Sequence, residues 1–382
     1  MAVKDREEFF GNAKPHSKAK IELLKKYLIP WIRKVVLGTG MNCLICDTFA
    51  GEGIYSDGTY GSPFVMIEEA LDFLHQGLKT TSIVLLAFVE ADKNNYNALK
   101  TNLENRFGIA FEENRFNKIP NENMKIMISN STHHDFIYSL SNEVDFLVPS
   151  LFFVDPFGFK GINLNEITAM INKYSSCEFI VNFMYEEFNR FKSIESISET
   201  INEFFGSNVG ETIDLIDSMS AKEKRNIIIN KYKENCVSKG VKYVLDFDIY
   251  KDNSYATKMI LVFMSNNCNG FNVMKSAMFD LSKNIDFEYH TKDKRRVSLF
   301  SDLEEEMVLE EMSQIIYNKF IGKQVYKYEI LSFVREHQFI PDIKMVSLLK
   351  ILSRDGKVYL IKEGKIKMNP HKFPNDSLIA FV

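Results

Sequence analysis

A glycine-rich turn follows the first continuous apolar run of the sequence. The run NCLIC ends at Cys46, and the turn that comes next reads DTFAGEG. Small residues at the carboxyl end of a strand let a ligand approach the backbone closely. A Gly-x-Gly pair also occurs in plain connections, so the position after a first strand is what favours a nucleoside-cofactor loop. The candidate cofactor-binding residues of this loop are Asp47, Phe49, Ala50, Gly51 and Gly53.

An acidic residue, Glu90, ends the next apolar run. A carboxylate in this place can accept both ribose hydroxyls of a bound nucleoside, or it can simply cap a helix. In dinucleotide-binding folds the acid lies about 20 residues beyond the glycines, and a third glycine serves the pyrophosphate. Here Glu90 lies 39 residues beyond Gly51, and the third glycine is absent. Both departures argue against NAD and favour a cofactor without phosphate, such as S-adenosylmethionine.

A third motif, Asp155-Pro156-Phe157-Gly158, follows the apolar run LFFV. It resembles the Asp/Asn-Pro-Pro-aromatic motif of amino methyltransferases, although Gly158 stands where that motif has its aromatic residue. An exocyclic amine is a weak nucleophile because its lone pair is delocalised into the ring. The Asp155 carboxylate and the Pro156 carbonyl can accept its N–H groups and localise that pair, while Phe157 stacks on a base that has left its duplex. The alternative is a structural turn in which proline ends the strand.

The elements that must position these motifs alternate along the chain. Continuous apolar strands separated by helical patterns indicate a parallel sheet covered on both faces. We therefore predict an α/β fold with a Rossmann-like methyltransferase sheet over residues 1–300. A helix predicted over residues 17–37 should end or kink near Ile29, because Pro30 follows. The five predicted strands lie in NCLIC, SIVLLAFV, KIMISN, LFFV and EFIVNFM.

The pattern changes after the fifth strand. Residues 185–240 are helical and polar, which predicts a helical insertion over the strand ends. The runs YVLDFDIY and ATKMILVFM predict two further strands, for which an antiparallel arrangement is one option. From residue 301 to residue 382, helix, helix, helix and hairpin follow the order of a winged helix-turn-helix domain.

Basic residues concentrate in the C-terminal segment. Residues 319–372 contain twelve Lys or Arg against five Asp or Glu, although the whole chain has a net charge of −4. These side chains either contact the phosphates of a nucleic acid or form a solvated face, and the sequence leaves both readings open. The candidate nucleic-acid contacts are Lys344, Lys350, Lys357, Lys362 and Lys365.

The overall composition excludes several classes of protein. With 45% hydrophobic and 26% charged residues, the chain of 382 residues is typical of a packed globular protein and not of a disordered one. No apolar run approaches the ~20 residues of a membrane helix, and the start has no signal-peptide core. We expect a cytoplasmic protein without membrane contact. Cys43 and Cys46 lie within one strand, and no second Cys/His pair completes a zinc site, so no metal is predicted.

Several polar residues near the motifs allow two interpretations. His133 and His134 follow the third predicted strand, where they either begin a helix or supply a catalytic base. His16, Lys18 and Lys20 either form a solvated helix start or reach the site.

Taken together, the motifs resemble those of the three-Cys-motif partner family, a group of Rossmann-like methyltransferases. The likeness covers roughly residues 9–300, and a more distant one extends to 23S rRNA adenine-N6 methyltransferases. The C-terminal segment resembles a domain attached to some family members. The stretches that carry the likeness are HSKAKIELLKKYLIPW, CDTFAGEG with GSP at 61–63, FVEAD at 88–92, FFVDPFGFKGI at 152–162 and EFIVNFMYEEFNR at 178–190.

The resemblance implies roles for the candidate residues, with S-adenosylmethionine as the cofactor. Glu90 would hold the ribose, and Asp155 to Phe157 would face the methyl acceptor. Where such enzymes often have Gly-Asp after the third strand to contact adenine, this chain has Asn130-Ser131. Ser131 is therefore a candidate contact, with Asp135 as the alternative. The methionine part would be lined by Asp47, Ala50, Gly51 and Gly53.

The function that follows is transfer of a methyl group to an exocyclic amine, adenine N6-like, of a base in DNA or RNA. The resemblance also implies a radical-enzyme three-Cys-motif companion protein as a partner, and a setting in mobile elements or phage defence. Two alternatives remain open. One is a non-catalytic partner protein that binds a nucleoside cofactor, and the other is a methyltransferase for a protein or small molecule.

Overall fold

The computed structural model describes residues 15–55, 58–216, 218–251, 256–284, 286–289, 301–362, 365–367 and 372–382. The predicted linker at 292–296 and the turn at Glu363–Gly364 lie outside these residues, as do the side chains of His16, Lys362 and Lys365. The chain divides into two compact units, Met1–Gly270 and Phe271–Val382. The division falls N-terminal to the boundary that we predict near residue 300.

The first unit is built on one mainly parallel sheet. Its strand order is β3-β4-β2-β1-β5-β6-β8-β7. Strands β4, β2, β1, β5 and β6 are parallel, whereas β8 runs antiparallel between β6 and β7. This arrangement confirms the predicted Rossmann-like α/β fold and its antiparallel final pair. The strands are β1 (Cys43–Asp47), β2 (Val84–Val89), β3 (Asn117–Lys118), β4 (Met124–Ser129), β5 (Ser150–Val154), β6 (Cys177–Phe183), β7 (Tyr243–Tyr250) and β8 (Thr257–Ser265).

The strand order places the predicted motifs along one edge. The chain moves outward from β1 in one direction and from β5 in the other, and such a switch point opens a crevice at the carboxyl ends of the strands. Strands β1, β5 and β6 are buried along their whole length, which explains why their sequences are continuous apolar runs. The crevice therefore has a rigid floor from which the polar residues emerge.

Helices cover the sheet and form the insertion. In the first unit they are α1 (Pro15–Thr39), α2 (Ser62–Leu74), α3 (Lys93–Phe107), α4 (His133–Glu143), α5 (Leu164–Lys173), α6 (Tyr185–Phe191), α7 (Ser198–Phe205), α8 (Gly210–Ile216) and α9 (Ala221–Ser238). Helices α6 to α9 lie where we predict the insertion. Phe183, at the end of β6, packs on Phe204 and Phe205 of α7 with ring centroids 5.1 and 5.7 Å apart. Each such pair contributes about 0.5–1.5 kcal/mol, so these contacts fix the insertion to the strand end.

Helix α1 continues through Pro30, where we predict an end or a kink. Proline removes one helical hydrogen bond, but Tyr27, Leu28, Trp31 and Ile32 are all buried on either side of it. Their packing outweighs the local preference. The Tyr27 hydroxyl also donates to the Glu178 carboxylate of β6, whose pKa is raised to about 7 by burial. Helix α1 is therefore anchored directly on the strand that precedes the insertion.

The second unit combines helices with a small antiparallel sheet. Helix α10 (Cys268–Ser282) spans the division between the units and is followed by β9 (Glu288–Tyr289), α11 (Ser301–Phe320), β10 (Gln324–Tyr326), α12 (Lys327–Glu336), α13 (Met345–Arg354), β11 (Val358–Lys362), β12 (Lys365–Lys367) and β13 (Leu378–Phe381). Within the described residues the sheet has the order β10-β13-β11-β12. Helices α11 to α13 and the β11–β12 hairpin follow the predicted order. Strands β10 and β13 are additions that the sequence analysis does not predict.

Candidate active site

The turn after β1 is held by a buried carboxylate. Asp47 is 0% exposed, and one of its oxygens accepts the Phe49 N–H at 3.0 Å while the other accepts the Ser62 hydroxyl at 2.5 Å. Burial raises the pKa of Asp47 to about 7, against the lowering effect of these two hydrogen bonds. Both oxygens of Asp47 are thus hydrogen-bonded to groups of this chain, and these bonds shape the loop that we predict to bind the cofactor.

The two glycines of this loop differ in the space around the position that a side chain would take. Gly51 and Gly53 both have positive φ, at 60° and 76°. A Cβ on Gly53 would lie 2.7 Å from Leu99 and 2.9 Å from Phe64, whereas a Cβ on Gly51 would meet nothing within 4 Å. Between them and β1, Ala50 is buried and donates its N–H to the Val89 carbonyl at 2.9 Å. Gly53 therefore serves packing, and Gly51 leaves open space beside the backbone.

Glu90 ties the turn to the end of β2. One oxygen of Glu90 accepts the Gly51 N–H at 2.7 Å, and the other accepts the Asp92 N–H at 2.8 Å. The N-cap of α3 is Asp92, whose side chain accepts the N–H groups of Asn94 and Asn95, so Glu90 is not the capping residue. Each carboxylate oxygen keeps a further lone pair, so the fixed Glu90 carboxylate can still accept ribose hydroxyls.

Three polar residues follow β4: Asn130, Ser131 and Thr132. Asn130 donates its side-chain N–H to the Glu90 carbonyl at 2.8 Å, and so connects the two strand ends. The Ser131 hydroxyl is directed to the Thr132 carbonyl at 3.3 Å, and Asp135 bonds to the N-cap Thr132 of α4. The sequence analysis singles out Ser131 and Asp135, but Asn130 makes the described contact with the predicted ribose residue.

His133 begins α4, as one of our two interpretations predicts, and it also lies against the loop. Its ring stacks on Phe49 with centroids 5.6 Å apart, and its Nδ1 lies 2.9 Å from the Thr48 hydroxyl. Burial lowers the pKa of His133 to about 4, so the ring is neutral at physiological pH. Its Nε2 is buried and has no hydrogen-bond partner among the residues that the structure describes. His133 therefore supports the loop, and Nε2 is a polar atom that remains to be paired.

The motif after β5 presents its carboxylate between two donors. Asp155 accepts a hydrogen bond from Lys20 at 2.5 Å on one oxygen and from the Asn182 side chain at 2.7 Å on the other. Pro156 is buried, whereas the Phe157 ring is 91% exposed. The structure thus brings the carboxylate into the crevice and leaves an aromatic ring beside it with little protein packing.

Asn182 is a site residue that the sequence analysis misses. It lies in β6, is 1% exposed, and points its amide N–H at Asp155. Its Oδ1 is buried and unpartnered within the described part of the chain. The opposite amide orientation would place Oδ1 against the Asp155 carboxylate, so the described orientation is the favourable one. An asparagine inside the apolar run EFIVNFM is the signal that could have identified it, since buried polar side chains need a partner.

Lys20 belongs to the site. Its side chain is 13% exposed and forms an ion pair with Asp155, so the solvated-helix-start reading does not hold for this residue. Lys20 comes from α1 and Asp155 from the end of β5, 135 residues apart. The amino-terminal helix therefore contributes to the site through a contact that short-range sequence patterns cannot reveal.

In the second unit, two of the predicted nucleic-acid contacts are engaged within the unit. The Lys357 ammonium donates to Gln314 at 2.9 Å, and the Lys344 ammonium lies 3.5 Å from Glu305. Lys350 is exposed on α13, and Lys362 and Lys365 lie on β11 and β12. The structure therefore gives Lys344 and Lys357 partners other than solvent.

The cysteines of β1 are buried, and burial raises the pKa of the Cys43 thiol to about 12. No group of three or more His, Cys, Asp or Glu side chains that could hold a metal ion occurs within the described ranges. None of the helices described here is long and apolar enough to cross a membrane.

Comparisons with known proteins give weak matches. No protein-family model and no curated protein matches the chain. Among solved structures, Trm1 from Pyrococcus horikoshii with S-adenosyl-L-methionine is 10% identical over 95% of this chain and 90% of its own, with a TM-score of 0.37. A SAM-dependent methyltransferase from Agrobacterium tumefaciens is 11% identical over 63% of this chain and 61% of its own, with a TM-score of 0.31. A Legionella pneumophila protein is 13% identical over 67% of this chain and 86% of its own, with a TM-score of 0.37. These superpositions are loose, so the fold assignment rests on the strand order.

Proposed function

We propose that the chain is an S-adenosylmethionine-dependent methyltransferase that acts on an exocyclic amine of a nucleic-acid base. The observation that carries the proposal is the group of hydrogen-bond acceptors at the end of β5. Asp155 and Asn182 meet there, beside a crevice whose other side is formed by the Asp47–Gly53 turn and Glu90.

The residues after β1, β2 and β4 fit an adenosyl cofactor. Glu90 is fixed by two backbone N–H groups and retains acceptor capacity for a ribose. Gly51 leaves open space beside its backbone, and the buried Nε2 of His133 still needs a partner. Bound S-adenosylmethionine would supply an electrophilic methyl group on a sulfonium. The protein would hold the methyl donor and the methyl acceptor in the geometry that direct transfer needs. This positioning supplies most of the rate enhancement in such a reaction.

The site of the methyl acceptor suits an amine because it offers more hydrogen-bond acceptors than hydrogen-bond donors. Asp155 and the Pro156 carbonyl would accept the two N–H groups of the amine and localise its lone pair. Asn182 would keep the Asp155 carboxylate oriented, and its own Oδ1 would be an alternative to the Pro156 carbonyl as acceptor of the second N–H. The amine becomes cationic when it gains the methyl group, and the Asp155 carboxylate can take the proton that it then loses.

Lys20 restrains the same carboxylate. Its ammonium donates to one Asp155 oxygen, and Asn182 donates to the other. The Lys20 hydrogen bond must weaken if the substrate amine is to donate to the same oxygen. Lys20 would thus be a positioning residue that keeps Asp155 oriented until the substrate donor arrives.

The remaining features of the proposal concern partners. The order of α11 to α13 followed by the β11–β12 hairpin supports a winged-helix module in the second unit. The motif resemblance to the three-Cys-motif partner family supports a radical-enzyme companion protein as an additional partner. Co-purification of the two proteins from cells that encode both would test that part of the proposal.

Calorimetric titration of S-adenosylmethionine tests the cofactor site. We expect micromolar binding to the wild type, and Glu90→Ala should weaken it by about 2 kcal/mol because charge-assisted hydrogen bonds to the ribose are lost. Asp92→Ala is the matched control, since it removes a nearby carboxylate that caps α3 but is not assigned to the ribose. Absence of binding by the wild type would overturn the methyltransferase proposal and leave a scaffold protein whose C-terminal unit is the functional part. Binding without transfer to any base would leave a methyltransferase for a protein or small molecule.

A further inference from the structure

Charge is divided unevenly along the carboxyl edge of the first unit's sheet. The turn after β1 and the end of β2 carry Asp47, Glu52, Glu90 and Asp92. Beyond Asp155, the loop after β5, helix α6 and the facing ends of β7 and β8 carry several cations. We call this second region the basic edge and define it by Lys160, Arg190, Lys251 and Lys258.

We propose that the basic edge of the first unit binds the phosphate backbone of a single-stranded nucleic acid whose base is presented to Asp155. The inference rests on the proposed function and deepens it, because it assigns the substrate surface to residues that flank the acceptor site. The opposite, acidic half of the edge suits a cationic cofactor, whereas a polyanion is attracted to this half.

Two lysines of the basic edge share one carboxylate. Glu186 accepts from Lys251 at 2.6 Å and also from Lys258. These contacts hold the pKa of Glu186 down to about 2, so the carboxylate stays ionised and neutralises only one of the two ammonium groups. One positive charge therefore remains at this place. The strands lie in the order β5, β6, β8 and β7, so Lys258 is on the second strand from the one that ends at Asp155, and Lys251 follows the third.

The other two cations are more exposed. Lys160 is exposed, and no carboxylate in the described ranges pairs with it. Arg190 is 61% exposed and lies 3.5 Å from Glu187, one helical turn away in α6. Exposed pairs of this kind contribute little, so Arg190 can exchange Glu187 for a phosphate at small cost.

An exposed aromatic ring accompanies these cations. Phe157 lies between Asp155 and Lys160 in the sequence and is almost fully exposed. Surfaces that bind single strands combine cations that follow the backbone with aromatic rings on which bases stack, at about 1–3 kcal/mol per base. Phe157 and the basic edge provide this combination next to the acceptor group.

The second unit also has exposed rings, Tyr326 and Tyr328, and an exposed lysine, Lys350, on α13. Lys344 and Lys357 have partners within the unit, and the exposed residues near the start of α13 include Ile343 and Ser347. A helix that reads bases normally presents Arg, Asn, Gln or Lys at these places. The affinity for the nucleic-acid backbone is assigned to the first unit because its cations lie along the same sheet edge as Asp155.

Salt-dependent binding of a fluorescent single-stranded oligonucleotide, in DNA and RNA forms, tests the proposal. The triple variant Lys160→Ala/Arg190→Ala/Lys251→Ala should bind about 100-fold more weakly at low salt. Its slope of log K against log salt should fall by about 2, since each lost contact to a single strand removes about 0.7. The matched triple variant Lys344→Ala/Lys350→Ala/Lys357→Ala in the second unit should stay near wild type. Lys118→Ala, on β3 at the far side of the sheet, controls for loss of charge.

Titration of S-adenosylmethionine into the same samples separates the possible failures. A first-unit variant that binds the cofactor normally but loses the oligonucleotide supports the proposal. If only the second-unit variant loses oligonucleotide affinity, the basic edge is not the binding surface and the proposal is overturned. If the wild type binds the cofactor but neither oligonucleotide at low salt, the nucleic-acid surface is wrong while the cofactor site stands. If the wild type binds no cofactor, the proposed function itself fails.

Discussion

The two sides of the crevice satisfy their polar groups in different ways. On the cofactor side, both oxygens of Glu90 and both oxygens of Asp47 accept hydrogen bonds from the protein's own donors. On the acceptor side, Asp155 is held by Lys20 and Asn182, but the Asn182 Oδ1 is buried without a donor in the described part of the chain. A buried acceptor without a partner costs free energy, so its retention indicates a role that another molecule completes.

The carboxylates beside the loop after β1 are thus already paired within the protein, and the unpaired polar atom there, among the described residues, is the His133 Nε2. On the acceptor side the unpaired atom is the Asn182 Oδ1, next to the carboxylate that we assign to the substrate. Substitutions on the cofactor side should therefore lower both stability and binding. Substitutions on the acceptor side should affect the reaction more than the fold. Four changes test this difference between the two sides, and they follow in order from the largest expected effect on free energy to the smallest.

Gly53→Ala should be the most damaging of these changes. The new Cβ would approach Leu99 and Phe64 closer than 3 Å, and alanine is strained at a φ of 76°. Strain and overpacking together should lower the free energy of unfolding by about 3 kcal/mol. Gly51→Ala is the matched control, since it shares the positive φ without the clash and should cost about 1 kcal/mol. Equal losses in urea denaturation would contradict the assignment of Gly53 to packing.

Asn182→Leu should separate activity from stability. Leucine removes the unpartnered Oδ1, and the apolar surroundings of β6 can accept it, so the free energy of unfolding should change by about 1 kcal/mol or less. Methyl transfer should fall by about 10- to 100-fold, because Asp155 loses the group that orients it. A variant that unfolds readily, or one that keeps full activity, would show that Asn182 is an ordinary core residue.

Lys20→Met should have a modest effect on the fold. The Lys20–Asp155 pair is only partly shielded from solvent, so its loss should lower the free energy of unfolding by about 1 kcal/mol. Lys25→Met, on the same helix, removes a more exposed pair with Glu22 and should cost a few tenths at most. Chemical denaturation of both variants measures the difference. A larger loss for Lys25→Met would contradict the placement of Lys20 in the site.

The pH dependence of stability should reveal the buried carboxylate of the cofactor side. The pKa of Asp47 is about 7 in the folded protein and near 3.8 when unfolded, so the folded state binds more protons between these values. The free energy of unfolding should therefore fall as pH rises from about 4 to 7 and then level off. Asp47→Asn should make this slope shallower, because the variant lacks the carboxyl group that holds the extra proton in the folded state. Glu178, whose pKa is also about 7, contributes with the same sign and remains in that variant. An unchanged slope would contradict the raised pKa of Asp47.

The parallel sheet could be predicted from the sequence because its evidence is local. Buried strands read as continuous apolar runs, and the loop and acid that follow each run lie at the same edge by topology alone. The positions of Asp47, Gly51, Gly53, Glu90 and Asp155 at the carboxyl ends of β1, β2 and β5 could be predicted in this way. Of the predicted end or kink near Ile29, the end is wrong, because α1 continues through Pro30 with buried residues packed on both sides of it.

The rest of the site depends on contacts that sequence patterns do not encode. Lys20 meets Asp155 only because α1 docks on β6 through Tyr27 and Glu178. Asn182 lies inside an apolar run, so the sequence analysis did not select it. Asn130 was not selected because its hydrogen bond joins the ends of two neighbouring strands, and sequence patterns do not show such bonds. The charge count of the C-terminal segment likewise could not show that Lys344 and Lys357 find partners within the second unit.

Transfer of a labelled methyl group from S-adenosylmethionine to adenine-containing oligonucleotides tests the central claim most directly. The comparison is between the wild type and Asp155→Asn, with calorimetry on both to measure cofactor binding. We predict unchanged cofactor affinity and a loss of transfer of about 100-fold or more, as for other groups that act on the reacting centre. Equal transfer by both proteins would contradict the assignment of Asp155 to the acceptor amine.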